Sequence, residues 1–262
     1  MKLVAENIDL WLGRRQILHQ VGLTAAAGCF TVIIGPNGSG KTTLLRSLTG
    51  DVAPRRGGVT LNGVDIASCQ AHELAAMRAV LPQHSTLSFP FTASEIVSIG
   101  FATRPVGRAE RAALIAAALS KVGLPGRGGE MYQQMSGGEQ QRVQLARALV
   151  QVWHPMTQQG PCWLFLDEPV SSLDIAHQMT VMRIAANYAA SGGGVVAVMH
   201  DLNLTAMFAD HVVLMHQGRV TAEGRPERVM TNEHLSQAYG CNLRINHAPD
   251  DGVWMLPQAV GA

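Results

Sequence analysis

The chain has 262 residues, 47% hydrophobic and 15% charged, with a formal net charge of +1; that length can bury a substantial core in one large domain or a domain with a subdomain. The near-neutral balance argues against a nucleic-acid partner, because phosphate-backbone binders carry a basic excess. The four cysteines at 29, 69, 162 and 241 show no paired spacing and read as buried free thiols, and with no signal-peptide pattern and no run near the about 18 apolar residues of a membrane span, a soluble cytoplasmic chain is expected.

Residues 2–34 read as strands: Leu3, Ala5, Ile8 and Leu10 keep a rough alternation, and Gly13-Arg14-Arg15 makes a turn. The apolar run Cys29 to Ile34 predicts a buried strand. It leads into Gly35-Pro36-Asn37-Gly38-Ser39-Gly40-Lys41-Thr42-Thr43, and Leu44 to Leu48 predicts a helix closed at Gly50. Strand, glycine loop, Lys-Thr and helix are the parts of a P-loop. Its glycines let successive N–H groups turn into one concavity that binds phosphate oxygens, and the helix dipole adds to the attraction. Lys41 can reach the β- and γ-phosphates, and the Thr42 hydroxyl can hold Mg2+. The expected ligand is a nucleoside triphosphate.

Asn62-Gly63, within Val59 to Ile66, is the cue for a type I′ hairpin, so an antiparallel β element accompanies the P-loop strand. Ala79-Val80-Leu81 reads as a short strand that runs out at Gln83. From about 85 to 158 the pattern is helical. Thr92 and Glu95 form a capping box opening Ile96 to Ile99. Arg108 to Val122 is an alanine-rich helix with Leu114, Ala118 and Leu119 on one face, ended by Gly123. Gly126 to Gly129 reads as a flexible link, and a further helix runs from Ser136 to about Val152. The α/β pattern resumes with Cys162 to Leu166, the continuous apolar run of a parallel strand buried on both faces. Asp174 to Ala190 reads as a helix with Ile175, Met179, Met182 and Ala186 in register, and Gly194 to Met199 as a second buried strand ended by His200-Asp201. A hairpin around Gln217-Gly218 and two short helices, from Pro226 and from Asn232 to Tyr239, complete the pattern.

Two further stretches carry chemistry. The strand before Asp167-Glu168 ends where a P-loop needs a second anchor for Mg2+. Asp167 suits that anchor, and Glu168 can polarise the water that attacks the γ-phosphate; two adjacent acids are repulsive unless a cation is near. Ser136 and Glu139 can form a capping box, but a cap does not need Gly137 and Gly138 between them. Those glycines expose consecutive N–H groups at a helix N-terminus, again an anion site.

Met135-Ser136-Gly137-Gly138-Glu139-Gln140, lying between a P-loop and Asp167-Glu168, resembles the signature motif of ABC ATPases, with Met for the usual Leu and Glu139 for the usual Gln. The resemblance covers nearly the whole chain and implies an α/β P-loop NTPase core with an antiparallel β subdomain and an inserted helical subdomain. The corresponding boundaries are 1–84 and 159–240 for the core with its β subdomain, 85–158 for the helical part, and 241–262 for a short C-terminal extension. It also implies roles. Trp11 stacks on adenine, Gln83 contacts Mg2+ and the attacking water, Ser172 and Asp174 belong to a D-loop, and His200 bonds the γ-phosphate. ABC ATPases act as head-to-tail homodimers, in which the P-loop of one subunit and the Ser136-Gly137-Gly138 end of the other clamp each ATP.

Phe89 to Val97 with Ile99-Gly100, and Asp174-Ile175-Ala176-His177-Gln178, are similar to segments in the ATPases of the iron-siderophore, haem and vitamin B12 importers, with Phe101 where Arg is usual. The stretch Val152 to Trp163 resembles the haemin-importing branch. The resemblance implies a peripheral subunit on the cytoplasmic face of the bacterial inner membrane, working with a two-copy transmembrane permease and, indirectly, a periplasmic binding protein. A permease helix would be received near Gln83 and the 85–100 segment. Siderophore or cobalamin cargo, or a non-transport ABC ATPase, are the alternatives.

Overall fold

The computed structural model describes residues 1–83, 89–102, 106–248, 250–253 and 255–259. The expected permease groove therefore falls partly outside the described residues, at 84–88. The elements run β1 (Lys2–Leu12), β2 (Arg15–Ala26), β3 (Phe30–Ile34), α1 (Lys41–Leu48), β4 (Arg56–Leu61), β5 (Val64–Asp65), α2 (Ala71–Met77) and β6 (Arg78–Leu81). Then come α3 (Ala93–Ile99), α4 (Arg108–Lys121), α5 (Gly137–Gln151), β7 (Met156–Thr157), β8 (Gly160–Pro161), β9 (Trp163–Asp167) and α6 (Ile175–Ala190). The chain continues through β10 (Gly194–Val198), α7 (Leu202–Phe208), β11 (His211–His216), β12 (Arg219–Gly224), α8 (Pro226–Val229) and α9 (Asn232–Tyr239).

The central sheet has six strands in the order β12-β11-β3-β10-β9-β6, parallel except for the edge strand β12. Because strand side chains alternate, each buried strand feeds two cores. Phe30, Val32, Leu164, Leu166, Val195 and Ala197 pack on the side that carries α3 to α6. Ile33, Trp163, Phe165, Val196 and Val198 pack on the other, against α1 and a four-stranded antiparallel sheet in the order β2-β1-β4-β5. Parallel register puts the strand ends level: Val198 pairs with both Ile33 and Asp167, and Leu81 with Leu166. The P-loop, Gln83, Asp167 and His200 all follow these ends, where open α/β sheets bind ligands.

The local signals held where they were chemical. Asn62 and Gly63 have φ of 55° and 86°, as a type I′ turn demands. Thr92–Glu95 and Ser136–Glu139 are both reciprocal capping boxes. The turn at Asn62 also reaches the central sheet: its side chain accepts from Trp163 Nε1 at 3.0 Å and donates to Pro161 O at 2.9 Å.

Several expectations are corrected. Gly126 to Gly129 is not a loose link: Arg127–Gly129 is a 3-10 turn, and Arg127 pairs with both Glu130 and Glu139. Ile175 does not share the buried face of α6 and is 42% exposed. Cys162 is buried, Cys29 and Cys69 are half-buried and Cys241 is exposed, so burial is not common to the four thiols. Helices α2 and α7 and the β7–β8 hairpin are additions. The hairpin runs across residue 158. Helix α5 is bonded to the sheet side: Arg147 Nη2 donates to Val80 O at 2.9 Å, and Gln151 Nε2 to Ala75 O at 2.9 Å and Arg78 O at 2.8 Å. Among the described residues no helix is long and apolar enough to cross a membrane.

Candidate active site

The site is built on the turn between β3 and α1. Gly35 (φ 146°) lies so close to the β11 backbone that a Cβ would stand 2.1 Å from Met215 O, and Gly40 (φ 100°) lies under Leu18. Neither position tolerates a side chain. Ser39 N closes the loop on Pro36 O at 3.2 Å, and Gly218 N buttresses it from outside by donating to Ser39 O at 3.0 Å. Lys41 is buried, and its Nζ donates to Gly35 O at 2.8 Å and Pro36 O at 3.0 Å. Burial lowers its pKa, and the Glu168 and Asp167 carboxylates oppose that shift.

A cleft of about 790 Å³ opens over this loop. Asn37, Gly38, Gly40, Lys41, Thr42 and Thr43 form its floor, and Gln83, Glu168 and His200 line it from neighbouring strand ends. Thr42 Oγ1 donates to Asp167 Oδ1 at 3.1 Å. Burial pushes the Asp167 carboxyl up, against the Thr42 hydrogen bond. A buried carboxylate whose charge is penalised, bonded to the hydroxyl of Thr42, which lines the cleft together with the Gln83 amide, completes a set of hard oxygen donors fit for Mg2+. Among the described residues no group of three or more His, Cys, Asp and Glu gathers as a metal site. Glu168 Oε1 lies 2.6 Å from His200 Nε2.

The remaining expected residues lie elsewhere. Trp11 does not line the cleft. It pairs with Gln16 and lines a separate groove, with Arg55 stacked 5.3 Å from its ring. Neighbouring strand residues face opposite sides, and Leu12, which pairs with Arg15, precedes the turn to the cleft-lining residues Arg15 and Ile17. Parity in the strand, not aromatic identity, was the signal that could have found them. Ser136, Gly137, Gly138 and Glu139 are also outside the cleft, at the start of α5. Glu139 accepts from Ser136 N at 2.8 Å and from Arg127, which draws its carboxyl down to about 2. An added Cβ on Gly138 would stand 3.1 Å from Ser172 O and Leu173, so that stretch lies against this helix start. Asp174 caps α6, accepting from His177 N at 2.9 Å with the His177 ring 2.7 Å away.

A glycine loop feeding a helix, a carboxylate at the next strand end but one and a polar cleft above them define a P-loop nucleotide-binding protein. The ABC transporter family profile matches residues 18–171. The chain belongs to that family, as an ATP-hydrolysing ABC ATPase. It is 56% identical over 256 residues to the "Hemin import ATP-binding protein HmuV" of Jannaschia sp. (strain CCS1), covering 97% of this chain and 94% of that protein. It is 53% identical over 263 residues to the protein of the same name from Ruegeria sp. (strain TM1040), with all of both chains covered. Its fold superposes with a TM-score of 0.75 on the dimeric ATP-binding cassette MJ0796 bound to ADP and Pi, at 26% identity over 86% of this chain and 98% of that one.

Proposed function

We propose that this chain hydrolyses MgATP as the motor subunit of a haemin importer, on the cytoplasmic face of the inner membrane. The observation that carries the cargo is full-length identity above 50% to proteins named for haemin import. The reaction rests on the cleft. Lys41 Nζ exchanges the Gly35 and Pro36 carbonyls for β- and γ-phosphate oxygens, and Asn37 to Thr43 supply backbone N–H groups around them. Thr42, Asp167 and Gln83 would hold Mg2+, which would supply positive charge against the phosphate oxygens. Glu168 takes a proton from the attacking water as its oxygen bonds to the γ-phosphorus and the bond to the β-phosphate oxygen breaks. His200 holds the Glu168 carboxylate and faces the same cleft.

The open cleft is completed by a second copy of the chain, whose Ser136-Gly137-Gly138 helix end covers the γ-phosphate and whose Ser172 and Asp174 cross the interface. Support comes from where those residues stand: at a capped helix start outside their own subunit's cleft, with Ser136 and Gly137 exposed. A two-copy permease supplies the pore, and a periplasmic binding protein delivers haemin to it. The test is ATPase activity of the chain reconstituted with its permease. Haemin-loaded binding protein is expected to stimulate it, with cobalamin and ferric siderophores inert. Glu168→Gln is expected to bind MgATP and lose nearly all turnover. Stimulation by cobalamin or a siderophore instead reassigns the cargo, and wild-type turnover in Glu168→Gln removes the base.

A further inference from the structure

The backbone at Glu168 is in the left-handed region, with φ of +50°, which non-glycine residues rarely adopt. Such a torsion persists only where its surroundings hold it. Here the residue is held at both ends. Glu168 N donates to Val198 O at 3.1 Å. Glu168 O accepts from Ser171 N at 3.4 Å, Ser171 Oγ at 3.2 Å and Gln141 Nε2 at 3.0 Å. The two Ser171 bonds close a local turn. The Gln141 bond comes from another element, 27 residues away in the chain.

Gln141 is not there for its own sake. Its Oε1 is buried without a hydrogen-bond partner, so half of its amide is desolvated for nothing, and the bond to Glu168 O is what the other half gains. It sits in the first turns of α5, whose start packs at Gly138 against Ser172 O and Leu173. One helix thus carries the exposed glycine end at its tip and grips the backbone of Glu168 a turn later.

We propose that Gln141 is a positioning residue for ATP hydrolysis. Its amide fixes the Glu168 carbonyl, and with it the left-handed backbone that aims the carboxylate into the cleft. It touches no reacting atom. A nucleotide gripped by the tip of α5 acts on the base through this bond. The inference rests on Glu168 being the general base, and the experiment separates the two.

Gln141→Met keeps the length and bulk of the side chain and removes the donor. Gln141→Glu keeps the shape and sets an acceptor against an acceptor. In the full chain assembled with its permease, Gln141→Met is expected to lower kcat about tenfold or more, with KM for MgATP within about twofold and the melting temperature within a few degrees. Gln141→Glu falls at least as far. In the Glu168→Gln background the same Gln141→Met change costs less than about twofold, since the base it positions is gone. Wild-type kcat in Gln141→Met overturns the proposal. So does a matched loss of kcat and affinity with a lowered melting temperature, which makes Gln141 an ordinary packing residue, and so does an undiminished loss in the Glu168→Gln background. Wild-type turnover in Glu168→Gln beside a slow Gln141→Met variant fails the general-base reading instead, and this one with it.

Discussion

Glu139 stands where a neutral Gln is usual in the signature motif, and the structure shows what makes an acid acceptable there. Arg127 hydrogen-bonds its carboxylate and the Ser136 N–H adds a second donor, so its pKa falls from 4.5 to about 2. Arg127 lowers Glu130 in the same way. The sign follows from linkage. A depressed acid contributes stability that is complete above its unfolded pKa, near 4.5, and is lost as pH falls toward about 2. Arg127→Ala is expected to destabilise the fold at pH 7, by a modest amount because the pair is partly exposed and screened, and the gap from wild type should close as pH falls toward 2. Denaturant unfolding at a series of pH values measures it; a gap independent of pH assigns Arg127 to packing instead. The sequence made Glu139 legible as a cap because its partner is three residues away. It hid Arg127, whose second partner lies twelve residues on, and it did not show that Trp11 lines a groove other than the cleft, because a strand's parity is read from its pairing with Gln16 and Arg15, not from the residue itself.

Elements were legible where their ends carry local chemistry: the Asn62-Gly63 turn, the two capping boxes, and Gly123 (φ 77°) closing α4. Helix α2 had such a signal too, since Glu73 accepts from Gln70 N at its start, but its seven residues are too few to show a periodicity that supports it. The link at Gly126 to Gly129 misled because glycine serves fit as well as freedom. An added Cβ on Gly128 would stand 2.3 Å from Ser94 Oγ. Gly100, at the end of α3, is the sharper case. Its φ of −61° suits any residue, so only space is at issue. A Cβ there would stand 2.3 Å from Arg147 O and 2.5 Å from Val150 Cγ2, on α5. Gly100→Ala gains about 0.4–1 kcal/mol through the unfolded chain and loses about 1–3 kcal/mol to overpacking, so the loss wins. Thermal unfolding followed by circular dichroism should show a lowered melting temperature, on the order of 2–4 °C per kcal/mol lost. An unchanged or raised value means that α3 and α5 can part without cost.

At the scale of the whole molecule, the fold class was legible from the alternation of buried runs and helices. The sheet order was not, because it depends on which strand ends meet. The outcome is a cleft open to the surface above the P-loop, and the proposed second copy covers it. Gly137 tests this cleanly. Nothing lies within 4 Å of a Cβ added there, so Gly137→Asp leaves the subunit intact and places a carboxylate where the partner's γ-phosphate would sit. Combined with Glu168→Gln to prevent turnover, it is expected to bind MgATP and remain monomeric in size-exclusion chromatography. An ATP-dependent dimer of that double variant counts against the shared site. Three of the side chains that tie α5 to its surroundings have a mechanical meaning as well. Gln141 bears on Glu168, Arg147 on Val80, and Gln151 on Arg78. At about 1.5 Å of rise per residue, these bearings spread over roughly 15 Å of one stiff rod. A push at the Ser136–Gly138 tip therefore cannot stay at the tip. It is delivered to Glu168, the proposed general base, near one end of the rod and, near the other, to β6, the strand that hands the chain on to Gln83.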